Sequence, residues 1–152
     1  MSVTDLYIAV IPDKPIEKVY PPKRQEYIQS ASNKKLISQR YFVWKLLEYS
    51  FKNSFGFDFE KLEFKLNEQG RWECDECFFS LSHSNNVVAV AVADSPVGVD
   101  IECLERSVPD TLYKKILTDK EMSEYIYMEK SKQKKYLIKK WTAKESLFKI
   151  GS

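Results

Sequence analysis

The chain has 152 residues, of which 43% are hydrophobic and 14% aromatic, with only four Gly and six Pro and a formal net charge of +2. This length suits one domain or two small lobes around a shared core, and the composition excludes disordered, collagen-like and low-complexity proteins. The longest apolar stretch, Val87 to Ala93, is far shorter than the roughly 20 residues of a membrane span. With no secretory signal visible at the N-terminus, we expect a cytoplasmic protein without a membrane segment.

Hydrophobic patterning in the first two thirds of the chain predicts strands around one long helix. Strands are expected over Leu6 to Ile11 and Leu62 to Leu66, and a hairpin is expected to turn at Ser84-Asn85-Asn86. The amphipathic helix begins near Ser32 or Asn33 and reaches Phe51. Its stripe consists of Leu36, Ile37, Arg40, Tyr41, Trp44, Leu47 and Phe51.

After the hairpin, a short strand is predicted over Val97 to Glu102, and the pattern then becomes helical. Helices are expected over Pro109 to Lys115, Asp119 to Met128 and about Lys132 to Lys149. The fold class is therefore α+β, with an N-terminal lobe over residues 1–94 and a C-terminal lobe over residues 95–152.

Three cysteines in a chain without a secretion signal indicate reduced thiols. Cys74 and Cys77 have the spacing of zinc ligands, but only Cys103 and the sole histidine, His83, could complete a four-ligand site. We therefore do not predict a zinc site.

Two acidic residues stand two apart in the strand predicted over Val97 to Glu102. Asp100 and Glu102 would point to the same face, where a cation could lie between them, although a solvated strand face is the alternative. Gly98 lets another backbone or a ligand approach this segment closely.

The last predicted helix carries a second cluster, in which Glu145 and Lys149 are one turn apart. Glu145 could complete an oxygen-rich magnesium site with Asp100 and Glu102, and nearby lysines could hold phosphate charge. An ordinary helix ion pair is the alternative. Eight lysines between residues 129 and 149 indicate mainly a solvated face.

Three segments together resemble the signatures of the 4′-phosphopantetheinyl transferases. They are Phe79-Ser80-Leu81-Ser82-His83-Ser84, Val97-Gly98-Val99-Asp100-Ile101-Glu102 and Trp141-Thr142-Ala143-Lys144-Glu145-Ser146-Leu147-Phe148-Lys149. Gly70-Arg71-Trp72 and Leu117-Thr118-Asp119-Lys120-Glu121 resemble further elements of the family. The long first lobe is similar to the surfactin-synthetase-activating type. That type implies two pseudo-twofold-related lobes, each with antiparallel strands and a long helix.

The resemblance implies an activity and a site. The enzyme would transfer 4′-phosphopantetheine from CoA to a serine of an apo acyl or peptidyl carrier protein and release 3′,5′-ADP. Asp100, Glu102 and Glu145 would hold Mg²⁺, and Glu145 would also accept the serine proton. The groups implied for CoA are Lys144 and Lys149 for its phosphates, Ser82 and His83 for its 3′-phosphate side, and Arg71 for the nucleotide.

Family members continue beyond the last helix, so the resemblance implies a second lobe that is incomplete in this chain. An unpaired strand edge at Val97 to Glu102 would then favour a homo-oligomer. Two alternatives stay open: a catalytically weak remnant that still binds CoA or a carrier protein, and an unrelated basic module that binds nucleic acid. The transferase is the preferred hypothesis, with neither a nucleic acid nor a membrane as partner.

Overall fold

An antiparallel sheet covered by a long helix forms the centre of the molecule in the computed structural model, which describes residues 2–105 and 111–151. The central sheet has the strand order β1-β5-β4, and β2 pairs with β3 in a separate two-stranded ribbon. This architecture confirms the α+β class. The elements are β1 (Thr4–Val10), α1 (Pro22–Gln29), α2 (Lys34–Phe55), a 3₁₀ turn (Phe59–Lys61), β2 (Lys65–Leu66), β3 (Trp72–Glu73), β4 (Phe78–Ser84), β5 (Val87–Ala93), α3 (Leu112–Ile116), α4 (Asp119–Tyr125) and α5 (Lys130–Ile150).

The predicted hairpin is confirmed. β4 and β5 pair in antiparallel register with Ser84 opposite Val87, so that Asn85 and Asn86 make the turn. Asn85 has a φ of 55°, a left-handed conformation that asparagine tolerates better than most residues do.

The predicted long helix is also confirmed as α2, and it extends one turn beyond Phe51. Its first residue follows Asn33, whose side chain accepts a hydrogen bond from the backbone N–H of Leu36 at 2.8 Å and so satisfies an otherwise orphaned donor. Gly56, with a φ of 70°, ends the helix. Trp44, Phe51 and other side chains of α2 form the main core against the valines of β5.

Three helices follow the sheet. The helix predicted over Pro109 to Lys115 is found as α3, although Pro109 and Asp110 lie outside the described residues. The other two predicted helices correspond to α4 and α5. α4 begins with a capping box in which Thr118 and Glu121 satisfy each other's backbone N–H groups.

The prediction of a strand over Val97 to Glu102 is wrong. This segment, which we call the acidic segment (residues 97–103), runs over the face of the sheet opposite α2 and is not part of a β-ladder. Its alternate backbone N–H groups donate to side chains and not to a neighbouring strand. The bonds run from Val99 to Ser80 Oγ (3.0 Å), from Ile101 to Ser82 Oγ (3.1 Å) and from Cys103 to Ser84 Oγ (3.2 Å).

The side chains of Ser80, Ser82 and Ser84 therefore accept backbone N–H groups that a neighbouring strand would accept in a sheet. Ser80 and Ser82 are buried, and Val99 packs beside Ala89 and Ala91. The argument for a homo-oligomer from an unpaired strand edge at this segment accordingly falls away, and self-association stays a prediction. The pseudo-twofold relation and the boundary between residues 94 and 95 also stay predictions.

Within residues 2–105 and 111–151, the structure contains no helix with the length and apolar character that crossing a bilayer requires.

Candidate functional site

A cavity of about 590 Å³ lies where the first part of the chain meets the C-terminal end of α5. Basic side chains dominate its charged lining, although Glu73 and Asp75 also border it. The basic and potentially basic residues are Arg24, Arg40, Arg71, His83 and Lys149. Such a lining attracts anions, because several positive charges share one partly enclosed space.

Arg24 is the most buried of these cations, with 3% of its surface exposed. Its guanidinium carbon lies 4.1 Å from the ring centre of Trp44 and 5.4 Å from that of Trp72, while Nη2 donates to the carbonyl of Arg40 at 2.7 Å. Nε is buried and has no hydrogen-bond partner among the described residues. Burial lowers the pKa of Arg24 to about 9, and the charge of Arg40 adds to this effect. At neutral pH the protein therefore holds a desolvated positive charge for which the described residues supply no carboxylate counter-ion.

His83 lines the same cavity from β4. Its pKa is lowered first by burial and then by the positive charges of Lys149, Arg40 and Arg24. A bound phosphate would oppose the lowering of this pKa, because it would offset those positive charges and favour the protonated imidazole.

Arg71 connects the β2–β3 ribbon to the end of α5. Its Nη1 donates to the carbonyl of Lys149 at 3.0 Å, and its guanidinium lies 5.3 Å from the ring centre of Phe148. A cation at a helix C-terminus interacts favourably with the carbonyls exposed there. Arg71 therefore fixes α5 at the cavity wall and leaves part of its charge facing the cavity.

Lys149 joins the cavity to the acidic segment. Its Nζ donates to the carbonyls of Val99 (2.8 Å) and Leu81 (3.2 Å) and lies 3.4 Å from Asp100 Oδ1. With only 18% of its side chain exposed, Lys149 holds α5, β4 and the acidic segment together at one point.

Asp100 lies beneath this lysine, with 10% of its side chain exposed. The hydroxyl of Ser82 donates to Oδ1 at 3.3 Å, whereas Oδ2 is buried and has no hydrogen-bond partner among the described residues. Burial raises the pKa of Asp100, Lys149 opposes that change, and the nearby charge of Glu102 adds to it. An orphaned carboxylate oxygen beside a second carboxylate is an arrangement that a cation would stabilise.

Gly98 determines how closely α5 approaches the acidic segment. A Cβ at this position would lie 2.0 Å from the backbone carbonyl oxygen of Ser146. The sequence predicted that Gly98 lets another backbone or a ligand approach closely, and the structure confirms this for the backbone of α5.

Lys144 lies on another side of α5, away from the cavity lining. It donates to the carbonyl of Ile116 and to Glu121 Oε1, the latter at 2.5 Å. Glu121 also pairs with Lys140 at 3.3 Å. The hydrogen bond from Lys144, followed by that from the backbone of Thr118, lowers the pKa of Glu121 to about 2. These contacts dock α5 on α3 and α4.

The remaining predicted residues are placed as follows. Glu102 is half-buried, and Glu145 is exposed on α5, one turn before Lys149. In the described part of the chain, no three His, Cys, Asp or Glu side chains are grouped closely enough to hold a metal ion. Ser82 and His83 are neighbours in a strand and point to opposite faces, Ser82 towards Asp100 and His83 into the cavity.

Two cavity residues were not singled out as site residues in the sequence. For Arg40 the sequence did contain a clue to a functional role, because this residue occupies the apolar stripe of α2, where a charged residue needs a specific partner. For Arg24 it contained none, since Pro-Lys-Arg at the start of a helix is an ordinary surface pattern.

Comparison with curated proteins finds no match to this chain. Residues 96–151, which include the acidic segment and α5, match the family model of the 4′-phosphopantetheinyl transferase superfamily. The resemblance read from the sequence is thereby confirmed at the level of the superfamily, over the part of the chain that carries two of its three signatures.

Proposed function

We propose that this protein transfers 4′-phosphopantetheine from CoA to a serine hydroxyl of an apo acyl or peptidyl carrier protein and releases 3′,5′-ADP. The observation that carries the proposal is the junction at Lys149, where a cationic cavity adjoins a segment with two carboxylates. Both environments suit CoA. The cavity can bind its 3′-phosphorylated nucleotide, and the two carboxylates can hold the cation that its pyrophosphate needs. The superfamily match over residues 96–151 supports the same reaction.

The cavity is proposed to receive the nucleotide end of CoA. Arg24 lies in an environment that penalises its charge, so a phosphate dianion would form charge-assisted hydrogen bonds with it with little competition from water. Arg40 borders the same cavity and adds a second guanidinium. His83 adds a donor when protonated, and Arg71 a further charge at the wall. The 3′-phosphate is the group best matched to this set.

The acidic segment is proposed to hold Mg²⁺. Asp100 and Glu102 are a suitable donor set, because Mg²⁺ usually binds one or two carboxylates and completes its octahedron with waters and substrate phosphates. The buried Oδ2 of Asp100, without a partner among the described residues, fits a cation site. Glu145 is proposed as the third carboxylate, approaching from α5. When bound, Mg²⁺ would neutralise charge on the CoA pyrophosphate.

The lysines of α5 are proposed to stabilise the transferring group. Lys149 is held beside Asp100 by two backbone carbonyls, so its charge is already positioned before substrate binds. Lys144 is engaged by Glu121, and reaching a phosphate would require it to exchange that partner.

The proposed reaction begins when the carrier serine attacks the phosphorus that bears pantetheine. The oxygen of 3′,5′-ADP leaves from the opposite side, and the new phosphodiester carries the pantetheine group. Glu145, which is exposed and therefore accessible to a protein substrate, is proposed to accept the serine proton. In this proposal Ser82 supports the acidic segment through its hydrogen bonds with Asp100 and Ile101. A direct contact between Ser82 and CoA stays a prediction.

The proposal is tested by titrating CoA and dephospho-CoA, which lacks only the 3′-phosphate, into the wild-type protein and into His83→Ala by calorimetry. The wild type should bind CoA more tightly, and His83→Ala should reduce that preference, with a larger penalty for CoA than for dephospho-CoA. Binding should also strengthen as the pH falls, because the phosphate favours protonated His83. Equal affinities for both ligands in the wild type would contradict the proposed orientation.

A further inference from the structure

Cys74 and Cys77 lie between β3 and β4 and both line the cationic cavity. Both are free thiols; Cys74 is half-buried, whereas Cys77 is 8% exposed. The thiol of Cys74 approaches the carbonyl oxygen of Cys77 at 3.7 Å. The two side chains thus belong to one short turn and face a space that a small molecule can enter.

The two thiols differ in character. The hydrogen bond between them lowers the pKa of Cys74 and raises that of Cys77, and burial of Cys77 raises it further. The more exposed thiol therefore ionises first, while the buried one retains its proton. An attacking cysteine next to a resolving cysteine has this asymmetry.

We propose that Cys74 and Cys77 form a thiol–disulfide exchange site for low-molecular-weight anionic disulfides that enter the cavity. The Cys74 thiolate attacks one sulfur of the disulfide, whose S–S bond breaks. One thiolate leaves and takes up the proton that Cys74 lost. Cys77 then attacks the sulfur of Cys74, the mixed S–S bond breaks, and the second thiolate leaves with the proton of Cys77. The protein loses two electrons and two protons, and the small disulfide becomes two thiols.

The cavity determines which disulfide reacts. Arg24, Arg40, Arg71 and Lys149 border the same space as the two thiols and outnumber the acidic residues there, Glu73 and Asp75. An anionic disulfide is therefore attracted and a cationic one is repelled. Cys103 lies outside that lining, on the acidic segment, and serves as an internal control. The inference does not depend on pantetheine transfer, because disulfide exchange requires neither CoA nor a carrier protein.

The test is a time course of the full chain with oxidised glutathione, quenched with acid and analysed by intact mass and peptide mapping. The wild type should pass through a glutathionyl adduct on Cys74 and end two hydrogens lighter, with a Cys74–Cys77 disulfide and Cys103 still reduced. Cys77→Ser should stop at the adduct on Cys74, and the matched variant Cys103→Ser should behave as the wild type. Cystamine, a cationic disulfide, should react more slowly than oxidised glutathione.

The acid-quenched wild-type time course decides the order of attack even if Cys77→Ser fails to fold. A first adduct on Cys77 or Cys103, or a wild-type adduct that never closes to the internal disulfide, would overturn the proposal. Cystamine reacting as fast as oxidised glutathione would overturn the role of the cavity.

Discussion

The substitution Arg24→Met tests whether Arg24 serves ligand binding or folding. Arg24 as a residue is 3% exposed, and its guanidinium has no carboxylate partner in the described structure. Burial lowers its pKa to about 9, roughly three to four below the usual value of an arginine. Since a change of one in pKa corresponds to about 1.4 kcal/mol, holding this charge costs on the order of 4–5 kcal/mol.

Met would remove that cost and fill a similar volume among the aromatic rings. The variant would lose the hydrogen bond to the carbonyl of Arg40, worth about 1.5–3 kcal/mol for a charged donor, and the contact with Trp44, worth about 0.5–2 kcal/mol. The opposing terms are similar in size. We therefore expect Arg24→Met to be at least as stable as the wild type, within about 1 kcal/mol, while its affinity for CoA falls at least tenfold, about 1.4 kcal/mol.

Urea unfolding and CoA calorimetry on the same samples provide both measurements. Lys23→Met is the matched control, because it removes a positive charge from the neighbouring, exposed position of α1 and should change neither quantity. A loss of more than about 2 kcal/mol in the free energy of unfolding of Arg24→Met, with CoA affinity unchanged, would refute the reasoning. Such a result would mean that the lost hydrogen bond and ring contact outweigh the cost of burying the charge.

Further predictions concern the contacts that support the site. Gly98→Ala should destabilise the protein by about 1–3 kcal/mol in urea unfolding, because the new Cβ would overlap the carbonyl oxygen of Ser146; Gly151→Ala, whose Cβ would have its nearest contact at 3.8 Å, should not, and equal effects would contradict the close approach. Ser80→Ala should cost about 1–3 kcal/mol, because the buried N–H of Val99 loses its acceptor; a neutral substitution would show that water replaces the hydroxyl. Glu121→Gln should lower the melting temperature at neutral pH, and the difference from the wild type should disappear as the pH falls from about 4.5 through about 2, because the lowered pKa of Glu121 makes its contribution present above that range and lost below it. A difference that persists at pH 2 would contradict that assignment.

Local sequence signals predicted the elements that local chemistry specifies. Asn33 caps α2, Asn85 and Asn86 turn the hairpin, and α4 begins at the predicted Asp119. Each depends on residues a few positions apart, so patterns in the chain are sufficient to find them.

The acidic segment shows where such signals stop. Alternation of apolar and acidic residues predicts an extended backbone. The N–H groups of Val99, Ile101 and Cys103, which donate at a spacing of two residues, agree with that prediction. Whether an extended segment joins a sheet depends on what lies beside it, and here Ser80, Ser82 and Ser84 of a distant strand accept its N–H groups. The cavity is equally non-local, because Arg24 and Lys149 meet across it only after α1 and α5 have packed.

The most direct test of the central claim is the intact mass of an apo carrier protein after incubation with this chain, CoA and Mg²⁺. We predict that the carrier gains one 4′-phosphopantetheine group, that 3′,5′-ADP appears in equal amount, and that Asp100→Ala, confirmed as folded by circular dichroism, produces neither. A carrier mass that stays unchanged across acyl and peptidyl carrier proteins, or a gain that persists undiminished in Asp100→Ala, would contradict the account.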